Sequence, residues 1–280
     1  MTPIAPLALL LLLAPTPSAA TPPANPPAAP PKPGAPSAPA TPPRSAPKTP
    51  APTAPKPPSP TPVTPPASAP NTLTDAEKRA GWVLLFDGED ACCTFRGYKK
   101  DALPDAWKVV DGTIAFVPGG AGGDIVTKEQ FKDFEFLCDW KVEKGGNSGI
   151  MWHVSEEASY PWETGPEMQI LDDSVHVDGR TPMTSAGALY ALYPAPEGAV
   201  KPAGEWNTAR VLIQGTKGTL WLNGVKTAEF DTASDEWKQK IAASKFKSMP
   251  LFATKSTGHI ALQDHGDPVF FRNIKVRPIQ

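Results

Sequence analysis

Residues 145–173 read GGNSGIMWHVSEEASYPWETGPEMQILDD, and the pattern of this stretch indicates the class of structure. Two runs within it, Gly149–Val154 and Glu167–Leu171, have the length and the alternation of β-strands. The glycine pair Gly145-Gly146 and the dipeptide Gly165-Pro166 mark turns before the two runs. The stretch therefore predicts two neighbouring strands joined by a long connection.

The same stretch holds more polar and aromatic side chains than a half-exposed pair of strands requires. They are a histidine, several carboxylates, an amide and three aromatic rings: His153, Glu163, Glu167, Gln169, Asp172, Asp173, Trp152, Tyr160 and Trp162. Aromatic rings cover the apolar C–H faces of a sugar, while carboxylates and amides bond its hydroxyl groups. We expect this stretch to form the floor of a carbohydrate site.

Short strands continue on both sides of this stretch. Asp111-Gly112 and Asn223-Gly224 each separate two strand-like runs and are signals of two-residue hairpins. Two brief helices are expected, one after the capping box Thr74–Glu77 and one from Ser234 to about Phe246. Further strands are expected at Ala188–Tyr193, Trp206–Gln214, His259–Asp264 and Val269–Val276, among others. This pattern predicts an all-β jelly-roll sandwich of two antiparallel sheets with a concave working face.

The beginning of the chain has the composition of an export signal and a linker. Residues 1–20 contain the apolar run Leu7–Leu13 before the small residues Ser18–Ala20, which predicts a signal peptide and a secreted, periplasmic or cell-surface protein. Residues 21–70 are almost entirely Pro, Ala, Thr, Ser and Lys, which predicts a disordered, proline-rich tether. The folded domain is expected at residues 71–280.

Charge and cysteine content exclude some classes of function. The net charge is −2 and the first 70 residues contribute +4, so the remainder carries −6. An acidic domain without a basic stripe argues against nucleic acid as a partner. Cys92, Cys93 and Cys138 lack the spacing of a zinc site, and either a disulfide to Cys138 or free thiols would suit them.

Strand alternation predicts which polar side chains share a face. Met168 and Ile170 suit a core, which sends Glu167 and Gln169 to the working face. The same rule predicts His153, Gln263 and His265 on that face.

Eight motifs in order resemble the 3-keto-disaccharide hydrolase domain family, whose members are also described as 3-keto-glucoside 1,2-lyases with 3-keto-2-hydroxyglucal hydratase activity. The motifs are Gly81–Gly88, Trp107…Asp111-Gly112, Asn147–Ile150, Gly165–Asp173, Glu205–Asn207, Trp221–Val225, Leu262–Gly266 and Phe271–Ile274. The resemblance covers roughly residues 80–279 and implies an exported domain with a concanavalin-like jelly roll. Many members carry arginine where this chain has His153, and the proline-rich segment lies outside the family pattern.

The resemblance also implies a chemistry. In a 3-keto glycoside the ketone acidifies the C2 proton, so a base can remove it, the C1 substituent leaves by β-elimination, and water adds to the glucal. We assign Glu167 or His153 as base, His265 as acid, and Gln169 and Asn207 as amides that position the ligand. Further substrate-binding candidates are Asn147, Ser148, Trp162, Gln263 and Asp172.

Other interpretations remain open from the sequence. Asp172-Asp173 is a minor candidate for calcium, although such pairs more often cap turns, and no cofactor is otherwise expected. The domain could instead be a conventional glycoside hydrolase or a non-catalytic carbohydrate-binding module. No dinucleotide-binding glycine motif is present in the sequence, so a separate sugar 3-dehydrogenase is implied upstream.

Overall fold

The computed structural model describes residues 69–279. The predicted signal peptide at residues 1–20, and the predicted linker apart from its last two residues, lie outside the described residues. Within residues 69–279, no helix combines the length and the apolar character needed to cross a membrane.

Strands dominate the described part of the chain. The helices are α1 (Asp75–Arg79) and α2 (Asp235–Ala243), with short 3-10 turns at Pro161–Glu163, Val177–Arg180 and Lys245–Ser248. The strands are β1 (Val83–Leu84), β2 (Phe95–Gly97), β3 (Trp107–Val110), β4 (Thr113–Phe116), β5 (Ile125–Thr127), β6 (Phe134–Val142), β7 (Asn147–Val154), β8 (Glu167–Leu171), β9 (Asn207–Gln214), β10 (Lys217–Leu222), β11 (Val225–Asp231), β12 (His259–Leu262) and β13 (Val269–Pro278).

The strands form two antiparallel sheets. The larger has eight strands in the order β11-β10-β9-β6-β13-β4-β3, with β1 paired to β13. The smaller has five strands in the order β2-β5-β12-β7-β8. The prediction of an all-β sandwich of two antiparallel sheets with two short helices is confirmed.

Local signals account for the ends of several elements. The Thr74 hydroxyl accepts from the Glu77 amide at 3.2 Å and the Glu77 carboxylate accepts from the Thr74 amide at 2.9 Å, so the predicted capping box begins α1. Asp111 and Asn223 have φ of 48° and 51°, which matches the two-residue hairpin turns predicted there. α2 ends at Ala243, and a separate 3-10 turn completes the predicted helix.

The core lies between the two sheets. Its largest side chains include Trp140, Trp152, Phe136, Ile150 and Met168, each at most 2% exposed. A second, smaller apolar cluster belongs to the opposite face of the five-stranded sheet and contains Tyr98, Val126, Met151, Val154 and Ala261. We call this opposite face the site face.

Two expectations are revised by the structure, and the open alternative for the cysteines is decided. The segment predicted as the strand Ala188–Tyr193 is a turn that makes isolated bridges at Leu189, since Gly187 and Ala191 have φ of 83° and 58°. β12 ends at Leu262, two residues before the predicted end. All three cysteines are free thiols, with Cys138 buried and the other two exposed.

Asn223 is expected to contribute more to stability than its turn conformation requires. Its side chain accepts from the Thr208 amide at 2.9 Å and donates to Ala199 O and Asn207 Oδ1 at 2.8 and 2.7 Å. Asn223→Ala should therefore lower the free energy of unfolding by roughly 2 kcal/mol more than Asp111→Ala. Asp111 is the matched control because it also has positive φ, while none of the hydrogen bonds in residues 69–279 involves its side chain. If urea titrations showed that the two variants lose the same free energy of unfolding, this role of Asn223 would be contradicted.

Candidate functional site

A cavity of about 450 Å³ opens on the site face of the five-stranded sheet. Its volume lies in the range of small-molecule sites. Strands β7 and β8 supply its floor, and loops between strands supply its walls. The lining residues are Gly123, Asp124, Asn147, Tyr160, Trp162, Glu167, Gln169, Asp178, Tyr190, Lys245, Gln263, Asp264 and His265.

Glu167 begins β8 and extends over the neighbouring strand. It pairs with Met151 of β7, and Gln169 pairs with Gly149, so all four residues belong to the site face. A Cβ atom placed on Gly149 would lie 2.1 Å from Glu167 Oε1. The carboxyl group of Glu167 therefore occupies the space that a side chain at Gly149 would need.

The Glu167 carboxyl group is buried without a strong partner. The residue is 8% exposed, and none of the hydrogen bonds found in residues 69–279 involves its carboxyl oxygens. Loss of hydration raises its pKa to about 8, the nearby Lys245 ammonium lowers that pKa, and the charges of Asp124 and Asp178 raise it. At neutral pH this carboxyl group is mostly protonated.

Two buried amide groups of the cavity lack hydrogen-bond partners within residues 69–279. They are Asn147 Oδ1 and Gln169 Nε2, on residues only 3% and 2% exposed. Buried polar groups are nearly always paired in native proteins. The lining of this cavity therefore contains an unpaired acceptor and an unpaired donor, which are suited to bond a hydroxyl group and a carbonyl group.

Asp124 and Asp264 form the wall opposite Glu167. The Asp264 amide donates to Asp124 Oδ1 at 2.8 Å, and Asp264 Oδ2 accepts from the Gly123 amide at 2.6 Å. Burial raises the pKa of Asp124 to about 6, the bond from the Asp264 amide lowers it, and the Asp264 charge raises it. A second titratable group thus faces the cavity.

Aromatic side chains and one lysine form another wall. The rings of Tyr160 and Trp162 stack with centroids 5.2 Å apart. Lys245 Nζ lies 4.3 Å from the centre of the Tyr190 ring, and the Tyr190 hydroxyl contacts Asp178 Oδ2 at 3.4 Å. This wall offers ring faces to the C–H surfaces of a sugar and one positive charge to an oxygen atom.

His265 lies at the rim of the cavity. It follows the end of β12, is exposed, and meets the ring of His176 edge-on at 6.5 Å between centroids. The structure therefore brings Glu167, His265, Gln169, Asn147, Gln263 and Trp162 together around one cavity, as predicted.

His153 lies elsewhere, so its predicted place on the working face is wrong. In the pairing of β12 with β7, His259 lies opposite Val154 and Ala261 lies opposite Met151. Trp152 and His153 of β7 therefore both face Ile260 of β12. His153 has φ of 51° in this bulge. Its Nε2 contacts Lys132 O at 2.7 Å, its ring packs on Phe134, and burial lowers its pKa.

Three further candidates also lie outside the cavity lining, namely Ser148, Asn207 and Asp172. The Ser148 side chain is turned away from the site face, and its hydroxyl donates to Gln263 O at 2.8 Å. Asn207 belongs to the larger sheet, where its side chain accepts from the Lys201 amide.

Asp172 accepts from the Gly145 amide and from the Ser174 amide and hydroxyl, so it caps turns. No group of three or more residues suited to hold a metal ion occurs within residues 69–279.

Several lining residues have no signal in the local sequence pattern. Asp178, Tyr190 and Lys245 come from turns whose positions only the tertiary structure sets. Asp124 had a usable signal, because Ile125 points into the core and Val126 onto the site face. Alternation along β5 therefore sends Asp124 to the site face as well.

Comparison with known proteins agrees with this geometry. The sequence profile of the 3-keto-alpha-glucoside-1,2-lyase-like domain matches residues 81–277. The chain is 35% identical over 232 residues to a 3-keto-disaccharide hydrolase of Bacteroides thetaiotaomicron. The matched region covers 70% of this chain and 78% of that protein.

Two crystal structures from Parabacteroides distasonis, each described as a putative glycosyl hydrolase, are also similar. One has 34% identity and a TM-score of 0.70, covering 76% of this chain and 100% of its own. The other has 28% identity and a TM-score of 0.52, covering 66% of this chain and 99% of its own.

Gly149→Ala should displace the Glu167 carboxyl group, because the new methyl group would take its space. We expect kcat/KM to fall at least tenfold while the melting temperature stays close to that of the parent. The same substitution in a Glu167→Gln background should add much less than it does alone, since contacting residues act non-additively. Equal losses in both backgrounds would show that Gly149 acts independently of Glu167.

Glu167 should make the folded state less stable as pH rises. Below about pH 4.5 the group is protonated in both states; between 4.5 and 8 the unfolded chain releases the proton and the folded chain retains it. The contribution of Glu167 to stability is therefore largest below pH 4.5 and falls until about pH 8. Glu167→Gln should raise the melting temperature by roughly 5–10 °C at pH 9 and change it little at pH 4. If the two proteins differed in melting temperature by the same amount at every pH, titration of Glu167 would be excluded as the cause.

Proposed function

The chain belongs to the 3-keto-alpha-glucoside-1,2-lyase-like domain family, and from this premise we propose that it cleaves 3-keto glucosides by β-elimination and hydrates the resulting glucal. Membership makes the chain a carbohydrate-active enzyme. The proposal adds the oxidised substrate and the reaction path.

The observation that carries the proposal is the buried Glu167 carboxyl group in a sugar-sized cavity. A carbohydrate-binding module needs rings and amides, but it gains nothing from a carboxyl group that loses its hydration and destabilises the fold. Such groups are typical of sites that transfer protons. The name of the Bacteroides relative, which is a 3-keto-disaccharide hydrolase, supports the same substrate class for this chain.

Each group of the cavity has a place in this reaction. The protonated Glu167 carboxyl group donates its proton to the glycosidic oxygen as the C1–O bond breaks, so its raised pKa favours the donor role over the base role predicted from the sequence. Gln169 Nε2 is free to donate to the C3 oxygen, where negative charge develops in the enolate. His265, exposed at the rim, contacts the leaving group.

The proposal extends to the setting of the enzyme. The substrate ketone requires a separate sugar 3-dehydrogenase that oxidises the glucoside first. Export through the segment at residues 1–20 would place the enzyme outside the cytoplasm.

Conventional glycoside hydrolysis is the second candidate, and it is favoured by the presence of two carboxyl groups, Asp124 and Glu167, in one cavity. That mechanism needs no ketone. Substrates with and without oxidation at C3 therefore separate the two functions.

The test compares a glucoside with its 3-keto counterpart carrying the same aglycone. We expect aglycone release from the 3-keto form only, and Glu167→Gln should lower kcat/KM by about 10³-fold. Glu197→Gln is the control, because Glu197 is exposed and does not line the cavity. Release of the aglycone from the unoxidised glucoside at a comparable rate would establish the second candidate. Binding of both substrates without release of the aglycone would contradict both enzymatic functions.

A further inference from the structure

Asp124 and Glu167 line the same cavity, and Asp124 lies across its floor from Glu167. Leu262 of β12 pairs with Ile125 of β5 on one side and with Ile150 of β7 on the other. The next row on the site face therefore contains Asp124, Gln263 and Gly149, and the Gln263 amide donates to Gly149 O at 2.9 Å. Gly149 pairs with Gln169, which completes the row.

Asp124 stands at one end of this row, and the carboxyl group of Glu167, which pairs with Met151 beside the row, reaches Gly149 within it. Neighbouring strands lie about 4.8 Å apart, so β5 and β7 are separated by about 10 Å. Glu167 leans inward from β8 over Gly149, and Asp124 leans toward β12, where the Asp264 amide bonds its Oδ1. Both carboxyl groups line the same cavity of about 450 Å³, which has room for one pyranose ring, and the Asp124 charge raises the pKa of Glu167.

We propose that Asp124 is the base that removes the C2 proton of the substrate, and that it works as a pair with Glu167 across one sugar ring. This inference rests on the proposed function and assigns the role that the sequence analysis gave to Glu167 or His153. His153 is displaced by the bulge in β7, and His265 is exposed, so neither is held on the floor of the cavity.

The surroundings of the two groups favour this division of roles. Asp124 is bonded by a backbone amide and faces Asp264, with His265 and Lys100 on the adjoining loops. Burial raises the pKa of Asp124 to about 6, which is lower than the pKa of about 8 to which burial raises Glu167. Between these values Asp124 is mainly ionised and Glu167 mainly protonated. Two titratable groups with separated pKa values are the arrangement that acid–base catalysis requires.

The complete cycle returns both groups to their starting state. The Asp124 carboxylate takes the C2 proton, the electron pair moves through the enolate to break the C1–O bond, and Glu167 protonates the departing alcohol. Water then adds to C1 of the glucal and gives its proton to Glu167, while Asp124 returns a proton to C2. The net change is hydrolysis, with no oxidant or reductant consumed.

Solvent-deuterium exchange at C2 and cleavage of an activated aglycone test the two roles separately. We would incubate the full chain in D₂O with 3-keto-1,5-anhydroglucitol, which has no leaving group, and measure C2 deuteration by NMR. Asp124→Asn should reduce exchange at least 100-fold, whereas Glu167→Gln should retain it within tenfold. With a 4-nitrophenyl 3-keto glucoside, Glu167→Gln should recover much of its lost activity and Asp124→Asn should not, because a good leaving group needs no acid.

Asp124→Asn keeps the Oδ1 acceptor for the Asp264 backbone amide, so the variant is expected to fold, and its melting curve checks this. Asp105→Asn is the control, since Asp105 is exposed and outside the lining. Exchange that persists in a folded Asp124→Asn variant would overturn the role of Asp124 while leaving the proposed function intact. A parent enzyme that neither exchanges C2 nor cleaves any 3-keto glucoside would overturn both.

Discussion

The cavity depends on one constraint, the burial of the Glu167 carboxyl group in the space left free by Gly149. Removing a carboxyl group from water is costly unless the group keeps its proton, and this one receives no compensating hydrogen bond within residues 69–279. Met151, the strand partner of Glu167, belongs to the apolar cluster of the site face. The fold therefore places a carboxyl group that holds its proton at neutral pH in the cavity where chemistry is expected.

The sheet itself sets the geometry of the cavity. Gly149, Gln263 and Gln169 are neighbours through strand pairing, so their relative positions follow from backbone hydrogen bonds and not from mobile loops. Sites built on strands are positioned more precisely than sites built on loops. The loops add the aromatic rings and Lys245, which are free to differ in their contacts without moving the floor.

Much of this arrangement follows from the sequence, and its failures have identifiable causes. Period-two alternation put Glu167 and Gln169 on the site face because β8 is regular. The same rule failed at His153, since a bulge adds one residue to β7 and the sequence carries no clear sign of it. Asn207 belongs to the other sheet, a fact that only long-range pairing decides. Tyr190 and Lys245 reach the cavity from turns whose paths local patterns do not encode.

The two unpaired amide groups have a consequence for discrimination among sugars. Asn147 Oδ1 accepts and Gln169 Nε2 donates, so a ligand satisfies both only if it presents a hydroxyl hydrogen and an oxygen lone pair at the right places. A deoxy or O-methylated analogue of similar shape would leave one amide desolvated and without a partner. Sites of this kind reject such analogues by far more than the loss of one contact would suggest, because the enzyme bears the penalty of its own unsatisfied group.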